Sequence, residues 1–401
     1  MFDVALLTVG GLGSIVAALY RRLERLSITP PLLGMIAGIV LGPEVFDILW
    51  LEPAATVQLM ETSSRLLLAV ALMGIALRYP FRQVRARARE VAWLLLIVTP
   101  GMAAIVAVSA VWLLEVPIGV AIALGACLAS TDPVLASGIV SGDAAERDIP
   151  LHDRQILSLE SGANDGLIHP LLTLGVVLSL EMDVISHIPQ MLYSVVVAVV
   201  AGALIGTAGG HVLTFAEDRR EIGPTVRSLY AVILAVLLLG LAGVLNVDGF
   251  VAVFVGGLAH NRVISRTDRE AEVAIDEALN HFLNLPVFLL FGVVLPWADW
   301  FALGWQALAI IGVMLVLRRV PIVLLMGKAL GMTTAQSTWI GWFGPVGVFA
   351  LYGVSHGVAR GVVDPTFWAI GTLAVATSTV IHGITAAPSR LLYRRMSASD
   401  P

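Results

Sequence analysis

Of the 24 lysines and arginines in this 401-residue chain, all but four lie in every second connection between apolar segments. The segments fall near 3–20, 29–48, 64–78, 91–114, 117–140, 155–181, 191–215, 226–245, 247–261, 276–297, 302–326, 335–356 and 366–387. Most reach the length of about 17–25 residues that a helix needs to cross a hydrocarbon core; the third is short and is expected to extend into its flanks. Basic clusters such as Arg21, Arg22 and Arg25, the run "RQVRARARE", and Arg390, Arg394 and Arg395 follow odd-numbered segments. Only Arg65 and Arg360 follow even-numbered ones, while Arg318 and Arg319 lie inside the eleventh. Lys and Arg stay on the cytoplasmic side, and one missed span would scramble the alternation. The pattern predicts an all-α polytopic membrane protein of about 13 spans, N-terminus outside and C-terminus inside.

Composition agrees. Charged residues make up 13% of the chain, half of the roughly 25% usual in soluble domains. The formal net charge of −5 leaves no basic stripe for nucleic acid. The lone Cys127 excludes a disulfide scaffold or a cysteine metal site within one chain and reads as a small packing residue. The first apolar stretch, Val4 to Tyr20, is followed and not preceded by positive charge, so it is read as a retained helix and not a signal peptide. "RQVRARARE" is expected to touch lipid headgroups on the cytoplasmic face.

A weak internal repeat is visible. "PPLLGMIAGIVLGP" in the second segment resembles "DGFVAVFVGGLAHN" in the ninth, and the fifth is interrupted at "STDP" as the twelfth is at "WFGP". Both pairs are seven segments apart, and an odd offset turns the second copy the other way across the membrane. Inverted repeats with paired broken helices mark secondary transporters, whose site lies where the breaks meet.

The breaks follow from Pro133, and from Gly344 with Pro345. A proline removes a helical N–H and clashes with the carbonyl four residues back, and freed carbonyls in lipid are tolerated only beside protein or water. The resulting half-helix ends offer carbonyls to cations and N–H groups to carboxylates. The sixth segment then carries "LESGANDGLIHP". Ser161 and Asp165 are four apart on one helical face, and Glu160 and Asn164 four apart on the next. These are hard oxygen ligands, suited to an alkali cation and not to zinc or copper. Glu160 reads as half of a buried ion pair, and only Arg318 and Arg319 can complete it inside the membrane, the other being free to snorkel to the cytoplasmic surface. His152, at the cytoplasmic mouth, and His169, one turn past Asp165, read as polar structural or pore-lining groups, with a sensor role as the alternative.

"STDP" in one helix and "ESGANDG" in the next, supported by "RRVPIV" and "GWFGPVGVFALYG", resemble the cation:proton antiporter family of the NhaP and sodium/proton exchanger type. The resemblance covers essentially the whole chain. It implies an NhaA-like fold of inverted repeats with two crossed broken helices, a single transmembrane domain over 1–401, core helices at about 64–181 and 302–387, and dimerisation or scaffold helices at about 3–48 and 191–297. It also implies that Asp165 binds cation and proton alternately, that Asp132, Ser161 and the Thr131 backbone are further cation ligands, and that Arg319 pairs with Glu160. Asn164, Pro133, Gly344 and Pro345 support the site. Many relatives carry a basic residue where this chain has Val346, so the helix-end compensation it supplies must come from another group here. Gly166, where some relatives have Pro or Ala, is a second departure and could loosen the helix locally.

The expectation is therefore an electroneutral antiporter of sodium or lithium, with potassium a further candidate, against protons. It works by alternating access as a homodimer in a prokaryotic-type inner membrane, without cofactor or enzymatic activity. The rivals are a passive cation channel of the same fold and an intramembrane aspartyl protease using Asp132 and Asp165, although the Gly-x-Gly-Asp context of such proteases is absent.

Overall fold

Backbone polar groups have no water to bond in a hydrocarbon core, so a chain of this hydropathy must satisfy them within helices. The computed structural model describes residues 2–25, 28–132, 135, 137–219 and 221–397, and no strand occurs among them. The first ten helices are α1 (Phe2–Arg25), α2 (Pro30–Leu41), α3 (Pro53–Arg78), α4 (Phe81–Trp93), α5 (Thr99–Leu114), α6 (Ile118–Ala129), α7 (Ser137–Val140), α8 (Asp143–Asp148), α9 (Leu151–Ser179) and α10 (Val184–Asp218). There follow α11 (Pro224–Leu245), α12 (Gly249–Val263), α13 (Arg266–Val293), α14 (Trp297–Ala302), α15 (Trp305–Gly312), α16 (Val320–Gly327), α17 (Thr334–Trp342), α18 (Val348–Ala359) and α19 (Pro365–Ser397). Seven helical stretches are long and apolar enough to cross a membrane, two of them the joined Phe81–Leu114 and Trp305–Gly327. The protein is an integral membrane protein.

Every apolar segment coincides with a helix, but several ends differ from expectation. The second stops at Leu41, before its expected end at residue 48. The third does extend into its flank, as its shortness suggested, and begins at Pro53. The fourth begins at Phe81, so "RQVRARARE" is the first part of a spanning helix and not a separate loop. "NVD" is the tight turn that its length requires. Asn246 ends α11 in the left-handed region (φ 53), and the Asp248 carboxylate caps α12 by accepting from the N–H groups of Phe250 and Val251.

The repeat is more visible in the backbone than in the sequence. A π-helical turn at Leu94–Val98 joins α4 to α5, and another at Val313–Leu317 follows α15. After each comes a broken segment, α6 to α7 and then α17 to α18, and after each break a long helix with an internal proline, Pro170 in α9 and Pro388 in α19. The π-turns, like the breaks, sit seven segments apart.

At the arginine-rich end, the last turns of α19 are tied to the core. Asp148 accepts from Arg390 Nε at 3.0 Å and Arg394 Nη1 at 2.9 Å, and Tyr393 donates to Asp153 at 2.6 Å. Arg390 Nη1 also donates to the Gly138 carbonyl of α7 at 2.8 Å. Burial pushes the Asp148 carboxyl up, but Arg147, Arg394 and Arg390 outweigh it and hold the group below the usual carboxylate range. Beside it, His152 bonds Asp153 at 2.9 Å, and that bond, outweighing burial, raises its pKa.

Helices α2 and α13 cross at van der Waals contact of their backbones. A Cβ on Gly38 would lie 2.8 Å from the Gly292 Cα, and one on Gly292 2.9 Å from the Gly38 Cα. Overpacking a tight contact costs about 1–3 kcal/mol. Gly292→Leu is therefore expected to lower the melting temperature in detergent. Gly240→Ala, at a position with nothing within 4 Å, should leave it unchanged or slightly raised; equal losses at both positions would refute the tight crossing.

Candidate functional site

The two breaks meet. After α6 the chain is extended at Ser130 (φ −61, ψ 147), and the Asp132 N–H donates to the Pro345 carbonyl at 2.7 Å. Asp132 then reaches into the second break, where its Oδ2 accepts from the Val348 N–H at 2.6 Å and so caps the start of α18. That approach needs Gly347, because a Cβ there would lie 2.5 Å from the Asp132 Cγ. Gly344 is required by a similar contact, with a Cβ position 2.8 Å from Arg319 Nε.

Half-helices end in uncompensated carbonyls carrying partial negative charge. Arg318 meets both ends at once, with Nη1 donating to the carbonyls of Leu128 and Ser130 and Nη2 to that of Gly344. This is the compensation that Val346 cannot supply. His382 Nε2 adds a bond to the Trp342 carbonyl at 3.1 Å, and Ser378 accepts the Val346 N–H at 2.8 Å. The snorkelling expected of one arginine does not occur, for Arg318 and Arg319 are each only 2% exposed. The π-turn before them explains why. It ends at Leu317, and Arg319 then leaves helical geometry (φ −120, ψ −46) as the N-cap of α16, so the two adjacent arginines are not held about 100° apart as in a continuous helix.

Arg319 forms a two-pronged pair with Glu160, at 2.8 Å and 3.1 Å. Thr131 and Asn164 complete its surroundings: the Asn164 amide donates to Thr131 Oγ1 at 2.6 Å and to Glu160 Oε1 at 3.4 Å. The hydroxyls of Thr131 and Ser161 lie 3.0 Å apart. The expected grouping of Thr131 with Ser161 is thus met through the Thr131 side chain, where the sequence pointed to its backbone.

Asp165 stands apart. It is 1% exposed, and its carboxylate accepts from the Ser130 hydroxyl at 2.6 Å. Among the described residues no lysine or arginine pairs with it. Together with Asp132, Val348 and α3 side chains including Leu68 and Leu72, it lines a cavity of about 10 Å³, room for about one water-sized particle. The amide oxygen of Asn164, also fully buried, has no hydrogen-bond partner.

The structure therefore brings together Asp165, Asp132, Thr131, Ser161, Asn164, Glu160, Arg319, Gly344 and Pro345; Pro133 lies outside the described residues. Ser130 was missed by sequence reasoning, and Arg318 was weighed only as the alternative partner of Glu160, not as the group that bonds the carbonyl ends of both half-helices. Ser378 and His382 left no signal in the sequence. Removing one partner from a buried ion pair costs about 3–5 kcal/mol. Glu160→Gln is thus expected to lower thermal stability strongly, and adding Arg319→Gln should recover part of the loss. Strictly additive losses would show that the two groups do not depend on each other.

Comparison with known proteins follows this geometry. The family model for the sodium/hydrogen exchanger, transmembrane, matches residues 11–389. The chain is 28% identical to the Na(+)/H(+) antiporter 2 of Zygosaccharomyces rouxii, over 90% of this chain and 49% of that protein. It is 27% identical to the Na(+)/H(+) antiporter of Saccharomyces cerevisiae, over 95% of this chain and 42% of that protein. It thus spans about half the length, or less, of these two relatives. The fold is that of the sodium proton antiporter MjNhaP1 from Methanocaldococcus jannaschii, with a TM-score of 0.77, 17% identity, and coverage of 98% of this chain and 99% of that one. The family match over residues 11–389 takes in the residues of both breaks, and the chain belongs to the sodium/hydrogen exchanger family.

Proposed function

We propose that the chain is an electroneutral antiporter exchanging sodium or lithium, with potassium a further candidate, for a proton across a cell membrane by alternating access. The observation that carries this reading is Asp165, a buried carboxylate beside a particle-sized cavity with no cationic side chain committed to it. An isolated buried carboxylate is costly. A bound cation or a bound proton relieves that cost, and the empty charged form does not. Only the loaded forms then move readily between the two faces, which enforces exchange. Ser130, Asp132, Thr131, Ser161 and the free Asn164 oxygen supply the hard oxygen atoms that suit an alkali cation.

The neighbouring groups support one proton per cation. Asn164 cannot ionise, and Glu160 is engaged by Arg319. The Asp132 carboxylate accepts N–H groups of Val348 and Leu135, a role that a charged carboxylate fills. In this reading the core helices at about 64–181 and 302–387 move against a scaffold at about 3–48 and 191–297, two chains pair through the scaffold, and the arginine-poor ends of the helices face outward. The relatives named above come from fungi and an archaeon, so the reading keeps a cell membrane in general, not a prokaryotic inner membrane. No observation favours the channel or the protease.

Asp165→Asn is expected to fold, with unchanged mobility in size-exclusion chromatography, and to abolish cation-driven proton movement in proteoliposomes. Retained exchange would assign the site elsewhere. The stoichiometry is checked by imposing a membrane potential with an ionophore for an ion that is not the substrate. A pH gradient alone should drive exchange, with about 1.4 kcal/mol per pH unit, and voltage should change neither rate nor end-point. Cation accumulation driven by voltage at equal pH would rule out one-for-one exchange.

A further inference from the structure

A second, polar cavity of about 550 Å³ opens at the arginine-poor end of the helices. Three helices run to it from the small cavity at Asp165, each with one face in common to both. On α9, Asp165 lines the inner cavity and His169 and Thr173 the outer one; on α18, Val348 lines the inner and Tyr352, His356 and Arg360 the outer. On α3, Leu72 and Leu68 line the inner and Arg65 and Glu61 the outer. Residues four apart on a helix share a face, about 6 Å apart along the axis.

The outer cavity holds a continuous file of proton-exchanging groups. Glu61 Oε1 is 2.8 Å from His356 Nδ1, which is 3.4 Å from the Tyr352 hydroxyl. That hydroxyl is 3.5 Å from His169 Nε2, and His169 Nδ1 is 2.8 Å from Asp248 Oδ2. Glu61 is the wet end, its side chain 26% exposed. Arg65 and Arg360 face the same space and offset Glu61 and Asp248, and His187 faces it from α10. The cavity therefore gathers no surplus of negative charge for a cation. Inward of His169, the Phe250 ring stands 4.8 Å from that of Tyr352 and 5.8 Å from that of Phe349, a plug that obstructs a hydrated ion. Pro170, inside α9, deprives the Gly166 carbonyl of its helical donor. That freed acceptor sits one residue past Asp165 and three before His169 along the helix.

The geometry points to His169 as a proton-transfer residue between the outer solution and Asp165, a role that rests on the antiport reading above. A proton from water on Glu61 passes to His356, through the Tyr352 hydroxyl, which accepts one proton as it releases another, and on to His169. His169 releases it through a bridging water to the Asp165 carboxylate as the cation departs. Asp248 offsets the imidazolium formed in transit. No other bond is made or broken, and the reverse order discharges Asp165.

The test is chemical rescue in proteoliposomes of known orientation. His169→Ala should slow cation-driven proton flux about a hundredfold or more, the low end of what a lost proton-transfer group costs. Imidazole added at the arginine-poor face should restore the flux with saturation, while imidazole at the other face should not. Tyr352→Phe, which keeps the ring contacts and removes one oxygen, should slow exchange with His169 in place. The proposal is overturned if both variants run at the unmutated rate at every outer pH. It is equally overturned if His169→Ala loses activity that imidazole does not restore while Tyr352→Phe keeps full rate. Failure of the antiport reading looks different: the unmutated protein would show no cation-dependent proton flux, and this role for His169 would fall with it.

Discussion

Two helices are cut open in the middle of this protein, and the contact that makes this tolerable is the one between the cuts. Asp132 donates its N–H to the Pro345 carbonyl and lends its carboxylate to the first turn of α18. Arg318 then gathers the carbonyl ends of α6 and α17 into one guanidinium. In hydrocarbon each of these groups, left alone, would cost several kcal/mol. Paired, they hold Ser130, Thr131 and Asp132 rigidly against α9. Glu160, Ser161, Asn164 and Asp165 all contact that stretch or lie beside it.

Glu160 and Asp165 illustrate how surroundings assign roles to like groups. They are five residues apart on one helix and both essentially inaccessible to solvent. Glu160 meets a guanidinium in the bidentate geometry that arginine offers to carboxylates, and its remaining oxygen contacts are made by Thr131 and Asn164. Asp165 meets a single hydroxyl and a void. One carboxylate is thus fixed as part of the frame, and the other is the one that the proposed function assigns to cation and proton.

The sequence disclosed the parts of this arrangement that depend on local chemistry. Alternating arginines, prolines at the breaks, and carboxylates without apolar excuse could all be read directly. Arg319 was identified by the apolar run that follows it in its family. What stayed hidden was set by tertiary register. Nothing in "VMLVLRR" marks the π-turn over Val313–Leu317 or the interruption of the helix at Arg319, where both arginines are buried. Asp132 could be recognised as a site residue, but not as the cap of a helix more than two hundred residues away, since capping signals are legible only when cap and helix adjoin. The helix end at Leu41 was misplaced because apolar residues continue past it to Trp50, and the start at Pro53 could not be fixed because the polar run "ETSSR" lies inside the helix.

The backbone repeat has a consequence for how the two halves share work. Each half has a π-turn, then a break, then a long proline-bearing helix that touches its own break. In the first half that helix offers a carboxylate, Asp165, to Ser130. In the second, α19 offers Ser378 and His382 to Val346 and Trp342. The twin halves are alike in shape and unlike in chemistry: one holds the acid, and the other only braces it. A duplicated architecture has thus become lopsided: the long helix of one half brings a carboxylate to its break, and that of the other brings a hydroxyl and an imidazole.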